Sequence, residues 1–205
     1  MKRYLLVCLL GQLVHGQGLW ERRAAYPIAA TEVSAAVLNG KIHSLCGLLP
    51  TGGRTGTLYI YDPYRDEWGE GPPVPMDGGG DHCNVAAAGG KLYVLGALRG
   101  ATADGNTYEY DPLARQWSVV ARMGEARGAS GVAAIGSKIY VAGGLAGSVA
   151  VNTIEVFDTE TKQWSRLAPM PTVRDHLTAQ AVNGRLYAIA GRVGAENLRT
   201  NEEYD

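Results

Sequence analysis

The sequence predicts an all-β fold in which one four-stranded antiparallel sheet is repeated about four times as the blades of a β-propeller. Three observations predict it. First, one phrase occurs four times, as "VLNGKIHSLCG", "AAGGKLYVLGA", "AIGSKIYVAGG" and "AVNGRLYAIAG", with basic anchors Lys41, Lys91, Lys138 and Arg185 spaced 50, 47 and 47 residues apart. Second, an Asp precedes a Trp by six positions in three places: Asp62 and Trp68, Asp111 and Trp117, Asp158 and Trp164. Third, no stretch of helical length carries apolar residues at a 3.6-residue period. A repeat of 47 to 50 residues with strand-like patterning is the length of a propeller blade.

Each copy holds the same pieces in the same order. A stretch of small apolar residues such as "GVAAIG" reads as the first strand. An Asn-Gly, Gly-Gly or Gly-Ser step then makes a tight hairpin turn, where positive φ favours Gly and Asn. The second strand ("KIYVAGG") is rich in β-branched and aromatic residues. A Gly-rich segment of varying sequence follows, then a third strand ("NTIEVFD"), a polar turn ("TETK") and a short fourth strand around the Trp. The copies run over 30–68, 80–117, 127–164 and 174–205, with a stray piece at 19–25. The last copy reaches its motif Asp at Asp205, the final residue given, so its Trp strand is missing. Trp20, in "LWERRAAYPIA", stands 48 residues before Trp68 with no blade of its own. The expectation is that the Trp20 strand completes the last blade and hides two open sheet edges.

These residues resemble the kelch repeat. The likeness rests on the small pair after the second strand (Gly143-Gly144), the Tyr within it (Tyr93, Tyr140, Tyr187) and the Tyr-Asp-Pro…Trp phrase, and it covers residues 19–205. The stretch "APMPTVRDHLTAQAVNGRLYAIAGR" (168–192) is similar to exported bacterial and fungal kelch proteins. The resemblance implies a propeller closed by a strand from the other end of the chain, although family members generally carry six or seven blades. Several positions depart from the pattern: Cys46-Gly47, Gly96-Ala97 and Ala190-Gly191 replace the Gly pair, and His43 takes the Tyr slot of the first blade.

The composition excludes some functions. Hydrophobic residues make up 46% and the net charge is −1, so a buried core is available and no basic patch offers a footprint for nucleic acid. At the start, Lys2 and Arg3 precede an apolar run from Tyr4 to Leu10, and small Gly16 and Gly18 follow. Residues 1–18 therefore read as a signal peptide, too short to span a membrane, which predicts a secreted or periplasmic protein. The alternative is an apolar first strand and a cytoplasmic protein. Cys8 would leave with the signal; Cys46 and Cys83 are equally compatible with a disulfide or with two buried thiols.

The candidate site follows from counting back from the anchors. Nine residues before them stand Glu32, His82, Ala129 and His176; ten before stand Thr31, Asp81, Gly128 and Asp175; eleven before stand Ala30, Gly80, Arg127 and Arg174. Equivalent positions in a ring converge on one rim, which brings "GDHC" (80–83) towards "RDHL" (174–177). The ligand-binding set is Glu32, Asp81, His82, Arg127, Arg174, Asp175 and His176. Imidazole and carboxylate suit several transition metals, but the plainer role is that each Asp–His pair caps a turn while the arginines bridge neighbouring blades. No metal, cofactor or catalytic residue is assigned. The repeated Trp20, Trp68, Trp117 and Trp164, with their Asp partners and Gly143-Gly144, read as structure, the indoles packing between blades.

Two functions compete. The first is a non-enzymatic binding module for a protein or carbohydrate partner, presenting the variable segments 48–57 and 97–106 on a rigid frame. The alternative is a small carbohydrate-active enzyme, epimerase- or mutarotase-like, working with the polar rim. Among kelch-like propellers, a copper oxidase acting on galactose and a sialic-acid mutarotase are precedents, yet neither site maps onto this chain residue by residue.

Overall fold

The computed structural model describes residues 19–205; the signal-peptide expectation lies outside them. The chain folds into four antiparallel blade sheets and one small two-stranded hairpin, with strands inside each blade paired in chain order. Blade 1 holds β1 (Ser34–Leu38), β2 (Lys41–Leu45), β3 (Leu58–Asp62) and β4 (Glu67–Gly71). Blade 2 holds β5 (Val85–Ala88), β6 (Lys91–Arg99), β7 (Thr102–Asp111) and β8 (Gln116–Arg122). Blade 3 holds β9 (Gly131–Ile135), β10 (Lys138–Ala146), β11 (Val149–Asp158) and β12 (Gln163–Arg166). Blade 4 has β13 (Thr178–Val182), β14 (Arg185–Ile189) and β17 (Asn201–Tyr204), with a small hairpin of β15 (Arg192–Val193) and β16 (Glu196–Asn197) inserted. This is a four-bladed β-propeller without helix among the described residues.

Local chemistry explains the hairpins. The first two strands of blades 1 and 4 join through Asn39-Gly40 and Asn183-Gly184, all four residues with positive φ, the type I′ geometry that matches the strand twist. The motif Asp closes the outer hairpin. Asp62 accepts the backbone N–H of Tyr64 and Arg65, Asp111 those of Leu113 and Ala114, and Asp158 those of Glu160 and Thr161. The Trp six residues on then lies directly across the pair from an aromatic: Tyr61 and Trp68, Tyr110 and Trp117, Phe157 and Trp164. Ring centroids stand 5.0, 5.1 and 5.3 Å apart, within the favourable range for aromatic pairs. Each indole N–H reaches beyond its own sheet, Trp68 to the Ala24 carbonyl, Trp117 to that of Pro72 and Trp164 to Thr107 Oγ1.

The innermost strands β1, β5, β9 and β13 line a shared channel with small side chains, among them Ala36, Ala86, Ala133 and Ala181. Three hydrophobic clusters lie between the blades. Leu38, Leu45 and Leu58 meet Leu92, Val94 and Tyr108 between blades 1 and 2. Tyr93 and Leu95 meet Ile139, Val141 and Phe157 between blades 2 and 3. Ala142 and Ile154 meet Ala179, Leu186 and Ala188 between blades 3 and 4. Among the described residues no such cluster joins blade 4 to blade 1.

The expected closure by Trp20 is therefore corrected. Blade 4 has three strands, residues 19–25 form none, and the Trp20 side chain is fully exposed. The segment packs on blade 1 instead. Ala24 N–H donates to Asp66, and Tyr26 stacks edge-on against Tyr59 and Trp68 while its hydroxyl accepts from Ser44. This is the place that Pro72 and Val74 take on blade 2, one repeat later, where Val74 belongs to the buried cluster. The 48-residue offset was thus a true repeat register, and it assigned the segment as the linker into blade 1.

The small pair after the second strand has a steric reason. Gly96 and Gly143 have positive φ, and a Cβ there would sit 2.4 Å from the Arg127 carbonyl oxygen and 2.6 Å from that of Arg174, respectively, where the next blade's entry segment crosses. Cys46 stands in that slot in blade 1 and spends its side chain on a disulfide to Cys83, in the entry of blade 2, with Cα atoms 6.4 Å apart. Ala190 fills it in blade 4, where no following blade crosses among the described residues.

Candidate binding face at the blade entries

Four blade-entry residues share one backbone geometry. Glu32, His82, Ala129 and His176 have φ of 55, 49, 53 and 50°, the left-handed region that non-glycine residues adopt at a cost of about 1–2 kcal/mol each. The strain is held by hydrogen bonds that run from blade to blade: Ala129 N–H donates to the His82 carbonyl, and His176 N–H to that of Ala129. These residues encircle the channel mouth. The His82 and His176 ring centroids stand 4.7 Å apart at 82°, so the expected meeting of "GDHC" with "RDHL" occurs.

Each imidazole is anchored by the carboxylate beside it. His82 Nδ1 is hydrogen-bonded to Asp81 and His176 Nδ1 to Asp175, both Asp side chains being buried. The Asp carboxylates are themselves braced, Asp81 by Arg54 Nε and Asp175 by Arg192 Nε at 3.2 Å. His82 Nε2 then points at Glu32 Oε2, 3.2 Å away, and His176 Nε2 accepts from Arg192 at 3.2 Å. His43 takes no part: it is buried between blades 1 and 2, and burial holds its imidazole below the usual histidine range.

Arg127 and Arg174 do not belong to this surface, and their expected roles in ligand binding and blade bridging are corrected. Both are completely buried, and their guanidinium groups bond inside their own blades. Arg127 donates to the carbonyls of Val141 and Gly143 and pairs with Glu155. Arg174 donates to those of Ala188, Ala190 and Thr200 and pairs with Glu202 at 2.8 Å. The repeats carried a signal for this. Blades 3 and 4 have Arg at the entry and Glu three residues before the motif Asp; blades 1 and 2 have Ala30 and Gly80 with Tyr59 and Tyr108 instead. An Arg buried in a blade requires a carboxylate, so the two positions vary together.

Arg54 and Arg192 went unnoticed in the sequence because they lie in the connections after the second strands, which differ from blade to blade. Those connections share the face of the entries. Residue pairs Thr31 and Leu48, Asp81 and Leu98, Gly128 and Leu145, and Asp175 and Arg192 form β-bridges between the entry and the start of the connection in every blade. In blade 2 the expected loop 97–106 is a hairpin, with β6 running to Arg99 and β7 starting at Thr102 and a register shift between Leu95 and Ala97.

The kelch motif model matches residues 81–124 and 126–171, the second and third blades of the structure. Those two blades are thus kelch repeats. Among curated proteins it is 34% identical over 119 residues to human "Kelch repeat and BTB domain-containing protein 12", covering 51% of this chain and 19% of that protein. It is 33% identical over 105 residues to "Kelch-like protein terF" of Aspergillus terreus, covering 47% of this chain and 22% of that one. The chain thus matches about a fifth of the length of these relatives. A solved structure titled "Structure of YjhT" superposes with a TM-score of 0.75 at 19% identity, over 84% of this chain and 63% of the other, so the two share a fold. No helix among the described residues is long and apolar enough to cross a membrane.

Proposed function

We propose that this kelch propeller is a non-enzymatic binding module whose ligand, a protein or a glycan, docks on the blade-entry face, and that the protein works outside the cytoplasm. Kelch propellers are commonly protein-interaction modules. The observation that carries the reading here is the joining of the two features that distinguish the blades: Arg54 and Arg192, from the variable connections, hold Asp81 and Asp175 of the polar rim. Loops and rim are one surface, with a rigid floor and variable walls, and recognition is usually built on such loops. Export is supported by the Cys46–Cys83 disulfide, a bond that persists in oxidising compartments, together with the positive-then-apolar pattern of residues 1–18.

The test is a binding screen of the purified chain against arrayed glycans and a panel of secreted proteins. Arg54→Ala and a replacement of 48–57 by a Gly-Ser segment are compared with Arg65→Ala, an exposed change outside the face. The expected result is a ligand lost with the first two and retained with the third. Binding that survives both face variants, or turnover of a free sugar in place of stable binding, overturns the proposal. The turnover result would favour the second reading, a carbohydrate-active enzyme, for which the Asp81–His82 and Asp175–His176 pairs would supply oriented imidazoles.

A further inference from the structure

We infer that Glu32, His82 and His176 form a binding site for a zinc-like divalent transition-metal ion at the centre of the blade-entry face. One ligand atom from each residue lies within 4.8 Å of the other two. Two imidazoles and one carboxylate are a donor set that zinc accepts with its fourth position open to water or to an anionic oxygen of a bound ligand.

The chemistry around the two histidines favours a cation more than their spacing alone does. With Nδ1 donating to the adjacent buried carboxylate, each ring turns its Nε2 lone pair towards the centre. His82 Nε2 stands 3.2 Å from a Glu32 oxygen; on a neutral imidazole both atoms are electron-pair donors, which a metal ion between them would satisfy together. The Asp81 and Asp175 contacts are the carboxylate–histidine arrangement that fixes the tautomer and orientation of metal-bound imidazoles. Zinc bonds of about 2.0–2.1 Å in a tetrahedral arrangement separate ligand atoms by roughly 3.3 Å. The Glu32–His82 pair already has that spacing, and the half-exposed Glu32 side chain has room to follow. At His176 the position is held by Arg192, whose guanidinium donates to Nε2 at 3.2 Å; that side chain is 45% exposed and can swing into solvent. The ion would also tie Glu32 of blade 1 to His176 of blade 4, two blades that no hydrophobic cluster joins among the described residues.

The experiment is a calorimetric titration of Zn²⁺ into the full chain, stripped with chelator and free of any affinity tag, with thermal melting measured in parallel. One saturable site per chain and a raised melting temperature are expected. His82→Gln and His176→Gln should each abolish saturable binding, and Asp175→Asn should weaken it by about 10- to 100-fold. Arg192→Ala should tighten it, an effect that a purely structural role for this cluster would not produce. Co²⁺ added to the unmodified chain should give the intense visible bands of a four- or five-coordinate ion, which keeps the test valid where a histidine variant fails to fold. The inference is overturned by any of three results: no saturable Zn²⁺ binding to the unmodified chain, equal affinity in folded His82→Gln and His176→Gln, or a spectrum of six-coordinate Co²⁺ alone.

Discussion

The backbone hydrogen bonds of the motif Asp all come from within three residues of it. In Asp158 two backbone N–H bonds, from Thr161 and then Glu160, hold the carboxyl below its ordinary range, and Asp111 is held down in the same way by Ala114 and Leu113. Because the folded value is the lower one, these groups stabilise the protein above the ordinary carboxylate pKa, and the contribution fades as pH falls through the depressed value. We expect acid-side stability, followed by urea unfolding between pH 5 and pH 2, to depend less on pH in Asp158→Asn, which keeps an acceptor without the charge. An unchanged pH profile would mean that the turn, not the carboxylate, sets the shift. The Cys46–Cys83 link is the other single-residue device. It closes a loop of 37 residues, and on the chain-entropy account its loss costs about 4 kcal/mol. The double variant Cys46→Ser, Cys83→Ser should melt well below the parent, and the parent should fall to meet it in reducing buffer.

At the scale of the blade, the Arg–Glu pair is the element that varies in kind. Arg127 with Glu155 braces the bulge within β10, and Tyr108 fills the corresponding space in blade 2, its hydroxyl bonded to Asp104 and its pKa pushed up to about 12, chiefly by burial. Arg127→Gly alone leaves the Glu155 charge buried and unpaired, which typically costs 3–5 kcal/mol. The double change Arg127→Gly, Glu155→Tyr, which rewrites blade 3 in the idiom of blade 2, should recover a large part of that loss in a double-mutant cycle. Recovery no better than additive would show that the two solutions are not interchangeable. The elements themselves were legible: the spacing of Lys41, Lys91, Lys138 and Arg185 marks the second strands, and the Asp–Trp interval marks the outer hairpins. Side-chain direction was not. Arg127 and His82 sit in matched columns two positions apart, and the positive φ at His82 turns one side chain to the channel mouth while the other stays inside the sheet. The disulfide was left open beside two free thiols for a similar reason, since Cys46 occupies a glycine slot whose neighbour is set by the crossing of the next blade.

Across the whole molecule, the blades differ in how many of their faces are covered. Blades 2 and 3 each pack on both sides, through the clusters around Leu92, Tyr93, Ile139 and Ile154. An ion-pair network adds to the seam between them: buried Glu109 accepts from Lys162 of blade 3 and from Lys91 and Tyr93 of its own blade. Burial raises the Glu109 carboxyl, but these three donors outweigh it and leave the group below its ordinary value. Blade 1 has its second face covered by the Tyr26 segment. Blade 4 buries Leu186 and Ala188 against blade 3, while Thr178, Gln180, Val182 and Ile189 of its other face are exposed. In a repeat architecture stability is close to a sum of repeat and interface contributions, so local opening should follow this order. Native-state hydrogen exchange in metal-free buffer should find the slowest amides in β6, β7, β10 and β11, and the fastest core amides in β14 and β17. Adding Zn²⁺ should slow blade 4 more than blade 2, because His176 would gain a partner in blade 1 that packing does not supply. Uniform protection over all four blades in the metal-free chain would instead require blade 4 to be covered in solution by a surface outside residues 19–205, and the measured mass of the native species would then show whether that surface comes from a second copy.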